Sequence, residues 1–186
     1  MPEADRAFGK ANRAMGLYYD VLHGKASVER LKEARDELEE ARRLHPDSPR
    51  IERDYIQILL ALGETDRAAG VSGQLLQQDA SHRIAHAMML DKYQGFEAAK
   101  PYYESYIQDL RSRIDTDSIA AEQLGDGITL VIGLLLMEEE AQAYDLVDTL
   151  QQQHPNARIW GNYLHLQRRE FDKEAYLSDI FPEIQG

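Results

Sequence analysis

The 186-residue sequence contains no cysteine. Disulfides, thiol nucleophiles and thiolate metal sites are therefore excluded, and either a reducing or an oxidising compartment is compatible with the chain. Long hydrophobic runs are also missing. The most apolar stretch, residues 128–137, spans ten positions, whereas a membrane helix needs about 20, so a soluble chain with no membrane insertion is expected. Proline and glycine are scarce, with 6 and 12 residues, and they punctuate the sequence singly, which argues for long helices. Positive charge is in short supply. Lys and Arg number 21 against 33 Asp and Glu, a net charge of −12. Phosphate binding needs a basic face, so nucleic acid is not an expected partner. The same charge keeps the surface solvated and would steer a basic partner inward. The opening M-P-E-A-D-R has no apolar run and reads as no signal peptide. The expected compartment is cytoplasmic by default, or periplasmic if a signal has been removed.

Motifs for chemistry are absent as well. There is no P-loop, nucleophile elbow or dinucleotide fingerprint, and G-D-G at 125–127 lies inside a helical pattern. His82 and His86 stand four apart, a spacing that can hold zinc. They lack the intervening glutamate of H-E-x-x-H, and read as two ordinary surface histidines. No cofactor, metal or catalytic residue is expected.

What is present is helical periodicity. Phe8, Ala11, Met15, Tyr18 and Leu22 share one helix face, with Gly16 calling for the close approach of a second helix. Ser27 caps a helix carrying Val28, Leu31, Ala34, Leu38, Ala41 and Leu44. In Pro46-Asp47-Ser48-Pro49 one helix stops, and Ser48 and Pro49 are placed as N-cap and first helical residue of the next. That helix carries Ile51, Tyr55, Ile58, Leu59 and Leu62, and Gly63 ends it. Thr65 and Ser81 cap the following two, with Ala68, Val71, Leu75 and Leu76 on one and Ile84, Met88, Met89 and Tyr93 on the other, which Gly95 ends. A sixth helix starts close to Glu97 or Ala98, because Pro101 is tolerated only near its beginning. Residues 115–118 read as a longer linker. A seventh helix carries Leu124, Ile128, Val131 and Leu135, an eighth Ala143, Val147 and Leu150, a ninth begins at Trp160, and a short last one starts near Phe171. No stretch alternates as a strand would.

Ala34 and Ala68 are 34 positions apart. Leu38 with Ser72, Ala41 with Leu75, and Pro46 with Ala80 keep the same spacing, the mark of a helical repeat array. These residues resemble the tetratricopeptide repeat family. In the first unit Met15, Gly16 and Tyr19 match its helix A, and Ala34, Leu38, Ala41 and Pro46 its helix B. Tyr55, Ile56 and Leu59, then Ala68, Ser72 and Leu75, match in the second. Ala99, Tyr103 and Tyr106 match in a looser third, and Leu130, Val131 and Leu134, then Ala143, Val147, Leu150 and Pro155, in the fourth. The resemblance implies a single all-α domain over 1–186. It would be an α-solenoid of antiparallel hairpins in a right-handed superhelix, with units near 9–48, 49–82, 83–123 and 124–157 and a cap at 158–186. It also implies a concave face that binds a peptide or protein surface and catalyses nothing.

On that register the inner face carries Lys10, Arg13, Leu17 and Asp20 in the first unit and Arg50, Arg53, Asp54 and Gln57 in the second. Lys10 and Arg13 would align with Arg50 and Arg53 as a basic stripe able to grip a carboxylate or acidic peptide, unless Asp20, Glu52 and Asp54 pair with these cations on the surface. In the fourth unit Ile128, Ile132, Leu135 and Leu136 make the face apolar. Either the third unit and the cap bury it, or it meets a partner or a second copy of the chain through the helix 124–137. Tyr103 and Tyr106 are core by repeat position, leaving Tyr102 as contact surface. The functional expectation is a non-enzymatic interaction module, an adaptor or scaffold. A dedicated binder masking one basic partner, such as a secretion chaperone or an immunity protein, is the second reading, and a metal enzyme built on His82 and His86 the third.

Overall fold

A computed structural model describes residues 2–46 and 48–184. Among the described residues every regular element is helical and no strand occurs. The chain divides into two compact units, Met1–His82 with Ile180–Gly186, and Arg83–Asp179. The expected Asp47 turn position lies outside the described residues.

The first unit contains α1 (Glu3–Leu22), α2 (Arg30–Leu44), α3 (Pro49–Ala61) and α4 (Thr65–Gln78), followed by a 3-10 turn at Ala80–His82. α1 packs along α2, and α3 against α4 and α2. The buried faces of α2 and α4 are those the periodicity marks: Leu31, Ala34, Leu38 and Ala41, then Ala68, Val71 and Leu75. Ser48 is the N-cap residue of α3 and Pro49 stands in its first turn. α4 departs slightly, with Glu64 at the cap and Thr65 already helical. α2 begins at Arg30, after a turn in which the Arg30 N–H bonds the Ser27 carbonyl at 3.0 Å.

α1 corrects the expected register. Its buried stripe is Ala7, Ala11, Ala14, Tyr18 and Val21. Phe8, Met15 and Leu22 give way to the residue before each of them, and Tyr19, matched to a core position of the repeat, is 50% exposed. Nothing lies within 4 Å of where a Cβ on Gly16 would be, so no close helix approach explains that glycine. Both stripes have 3–4 spacing and differ by a modest rotation. The small alanines let α2 approach on the side that buries them, whereas side-chain size alone favours Phe8 and Met15.

The second unit contains α5 (Arg83–Gln94), α6 (Phe96–Arg113), a 3-10 turn (Ala121–Gln123), α7 (Leu124–Leu136), α8 (Glu140–Gln153), a 3-10 segment (Arg158–Asn162), α9 (Leu164–Gln167) and α10 (Lys173–Ile180). α6 starts one residue before the expected Glu97, and Pro101 sits in its second turn. The linker after α6 is stitched to the end of α8. The Ile119 N–H donates to Gln153 Oε1 at 3.0 Å, and Gln153 Nε2 donates to the Asp117 carbonyl at 2.8 Å. α7 is the centre of this unit, with Leu124, Ile128, Leu130, Val131, Leu134, Leu135 and Leu136 all buried. A Cβ on Gly127 would meet Leu150 at 3.0 Å and Ile119 at 3.1 Å, so this glycine lets the linker and α8 close on α7. Where a ninth helix was expected from Trp160, the chain makes the 3-10 segment and the four-residue α9. Trp160 is buried, and its indole N–H donates to the His154 carbonyl at 3.0 Å.

Four helices end in one backbone device. The N–H two residues past the C-cap bonds back to a carbonyl of the last turn: Lys25 to Asp20 at 2.7 Å, Glu64 to Leu59 at 2.8 Å, Glu139 to Leu134 at 2.9 Å and Glu170 to His165 at 2.9 Å. This Schellman geometry needs a left-handed residue in between. Gly24 (φ 68°) and Gly63 (φ 73°) supply it in the first unit, but Glu138 (φ 63°) and Arg169 (φ 57°) do so in the second. A side chain in that conformation is disfavoured. Glu138→Gly is therefore expected to raise stability by about 0.5–1 kcal/mol. The midpoint of urea unfolding checks this, and an unchanged or lowered midpoint contradicts it. The exposed Lys173–Glu138 pair lost in the exchange (3.1 Å) is worth little.

Candidate partner-binding face

Arg50, Arg53 and Gln57 are spaced 3 and 4 along α3, share one side of it and are all exposed. Arg50 is tied to α1. Its guanidinium donates to Asn12 Oδ1 at 2.5 Å and lies 5.4 Å from the centroid of the Phe8 ring. Phe8 in turn meets His45 edge-on at 5.5 Å. Burial lifts the Asp54 carboxyl above the usual aspartate range, while Arg50 and Arg53 pull it back part of the way. The α3 part of the expected stripe is thus an exposed cationic strip with one carboxylate set into it.

The α1 part is elsewhere. Lys10 Nζ lies 3.1 Å from Glu37 and 2.6 Å from Glu40 on α2, with its side chain only 16% exposed. Hydrogen bonds to Glu40 and then Glu37 raise its pKa. Arg13 bonds the same Glu37 at 2.9 Å. Both cations are spent against α2 and do not continue the strip of Arg50 and Arg53. The alternative of surface pairing holds for these two, with different partners from those expected: Glu37 and Glu40 take the place of Asp20, Glu52 and Asp54. Asp20 is exposed, and Leu17 half-buried.

Sequence reasoning missed a polar cluster around Tyr55. The Tyr55 ring is fully buried, and its hydroxyl donates to Glu39 at 3.0 Å. Burial, then the Glu39 bond and charge, push the phenol up to about 12. Arg42 lies 4.4 Å above the ring and Arg67 5.5 Å from it. Arg67 also bonds Glu39 (2.8 Å) and Glu64 (3.0 Å), and Arg35 bonds Glu64 (3.0 Å). Arg42 Nε donates to Glu52 at 2.7 Å. A glutamate in the first turn of α3, next to Ile51 of the apolar stripe, was the available signal.

In the second unit the apolar face is a core face. Ile128, Leu135 and Leu136 are buried within Arg83–Asp179, and of the four expected contact residues only Ile132 reaches the surface in part. That corrects the reading of this helix as a contact for a partner or a second copy. Tyr103 is core as expected, and its hydroxyl donates to Asp91 at 3.0 Å. Tyr106 is half-buried, and so is Tyr102, whose ring meets His86 edge-on at 4.7 Å. His86 is buried, not a surface histidine, and burial lowers its pKa. Among the described residues no three His, Asp or Glu side chains gather as metal ligands, and no helix is long and apolar enough to cross a membrane.

The helical hairpins, their Schellman exits and the recurring Ala-Leu-Ala faces are those of a repeat fold, and the family model of the tetratricopeptide repeat matches residues 26–92. The chain carries tetratricopeptide repeats. Neither the curated proteins nor the solved structures compared with it gave a match. The tetratricopeptide match runs from the turn before α2 into α5, so it includes α3 and its cationic strip. Tetratricopeptide repeats generally mediate protein–protein interactions and are typically non-catalytic.

Proposed function

We propose that the chain is a non-enzymatic adaptor or scaffold that holds an acidic peptide or protein surface against the exposed side of α3. The observation that carries this reading is the strip of Arg50, Arg53 and Gln57, which stays exposed while Lys10, Arg13, Arg35 and Arg67 are engaged by carboxylates of the same unit. Arg50 is held on Phe8 and Asn12, so part of the ordering cost of gripping a carboxylate is already met. In a protein of net charge −12, an exposed pair of arginines also selects against basic partners at that spot. Arg50→Glu combined with Arg53→Glu is expected to weaken capture of an acidic partner by at least about tenfold. Affinity capture from the native organism, followed by mass spectrometry, measures this. Equal recovery by wild type and variant removes the strip from the binding face.

The net charge of −12 favours a second reading, a dedicated binder masking one basic protein. One stoichiometric basic partner, lost at high salt, would select it. Several partners retained at high salt would select the scaffold.

A further inference from the structure

On the far side of α3 from the cationic strip, α2, α3 and α4 enclose a cavity of about 500 Å³ within the first unit. Glu52 lies roughly 140° around α3 from Gln57, at about 100° per residue. Its neighbours in the cavity wall include Arg42, Arg43, Val71, Gln74 and Gln78. Glu52 is 8% exposed, and its two oxygens are used unequally. Oε1 accepts from Arg42 Nε at 2.7 Å, whereas Oε2 is buried with no hydrogen-bond partner among the described residues. A buried carboxylate oxygen without a donor is costly, and a group that supplies one recovers that cost. Arg42 is already stacked on Tyr55. The last turns of α2, with Arg42 and Arg43, and of α4, with Gln78, both reach this cavity. Helix C-terminal ends carry partial negative charge and favour a cation. Val71 and Leu75 supply an apolar wall.

We propose that this cavity is a second binding site, which takes the side chain of a lysine or arginine from a protein partner. Its N–H group donates to Glu52 Oε2, and its aliphatic stem lies along Val71 and Leu75. Gln74 and Gln78 are placed to bond the partner's backbone. The site stands on different residues from the α3 strip and does not depend on it.

The test is an amide-resolved NMR titration of the full chain with the capped tripeptide Gly-Arg-Gly, and with Gly-Glu-Gly as control. Shifts are expected at Val71, Gln74 and Gln78 with the arginine peptide, at an affinity of about 1 mM for so small a ligand. Glu52→Gln is expected to weaken the binding by about tenfold, the loss of one charge-assisted hydrogen bond. Gln74→Trp, which fills the cavity from an exposed position and leaves Glu52 in place, should abolish it. Unaltered thermal melts establish that both variants are folded. Absence of shifts around the cavity, equal binding by Glu52→Gln, or equal binding of the glutamate peptide would each overturn the proposal. Arg50→Glu with Arg53→Glu should leave this titration unchanged, so failure here and failure of the strip are read separately.

Discussion

Leu136→Asp is expected to unfold the unit Arg83–Asp179. Leu136 is 0% exposed at the end of α7, the helix that carries most of that unit's core. An aspartate there must either stay ionised in apolar surroundings or be protonated, and it also forfeits the packing of a leucine. Core truncation alone costs about 2–5 kcal/mol. Burying an unpaired charge adds several more, which together match the roughly 5–15 kcal/mol that hold a domain folded. Ile132→Asp is the control, because Ile132 lies one turn earlier and is partly exposed. It is expected to cost about 1 kcal/mol, as ordinary point substitutions do. Circular dichroism melts of the two variants decide the matter. A Leu136→Asp protein with the wild-type melt would mean that this face of α7 is not core.

Lys173→Met is expected to cost about 3 kcal/mol, as removing one partner of a buried ion pair does. Lys173, in the first turn of α10, places its ammonium 2.9 Å from Asp91 of α5 and 4.3 Å from the centroid of the Phe96 ring. The Asp91 side chain is 6% exposed, and its remaining neutral partner is the Tyr103 hydroxyl. Methionine keeps the stem and removes the charge, leaving a buried carboxylate without a cation. Asp91→Asn in the same chain should recover most of the loss, since the orphaned charge is then gone. Urea unfolding of the two single variants and the double gives the coupling between the sites. A Lys173→Met midpoint within about 0.5 kcal/mol of wild type would show the pair to be no more than a surface contact.

The parts of this fold that sequence carried plainly are those where residue size and spacing agree. Leu31, Ala34, Leu38 and Ala41 return as one buried face, and Pro49 and Gly63 bracket α3 as their backbone preferences require. The linker at 115–118 was legible from its small polar residues. α1 was legible as a helix, but its rotation was not. Buried alanines carry little hydrophobic weight, and the stripe through Phe8 and Met15 outscored the one through Ala7 and Ala14. α7 was ambiguous because a helix apolar on every side is equally consistent with a core and with an interface. Only the helices packed around it decide. Lys10 and Arg13 failed as site residues because their partners, Glu37 and Glu40, are 27 and 30 positions from Lys10, and local charge patterning does not reach so far. The exposed strip on α3 survived, since its three residues need nothing but one helix to share a side.

The sequence has one tryptophan, and it is Trp160, enclosed in the second unit with its indole bonded to the His154 carbonyl. Intrinsic fluorescence excited at the indole band therefore observes Arg83–Asp179 and is blind to the helices that carry the cationic strip. Far-ultraviolet dichroism sees both. Run side by side on one sample, the two signals form a built-in pair of reporters. Coincident transitions mean one cooperative block, and separated ones assign the earlier or later step to the unit holding the emitter.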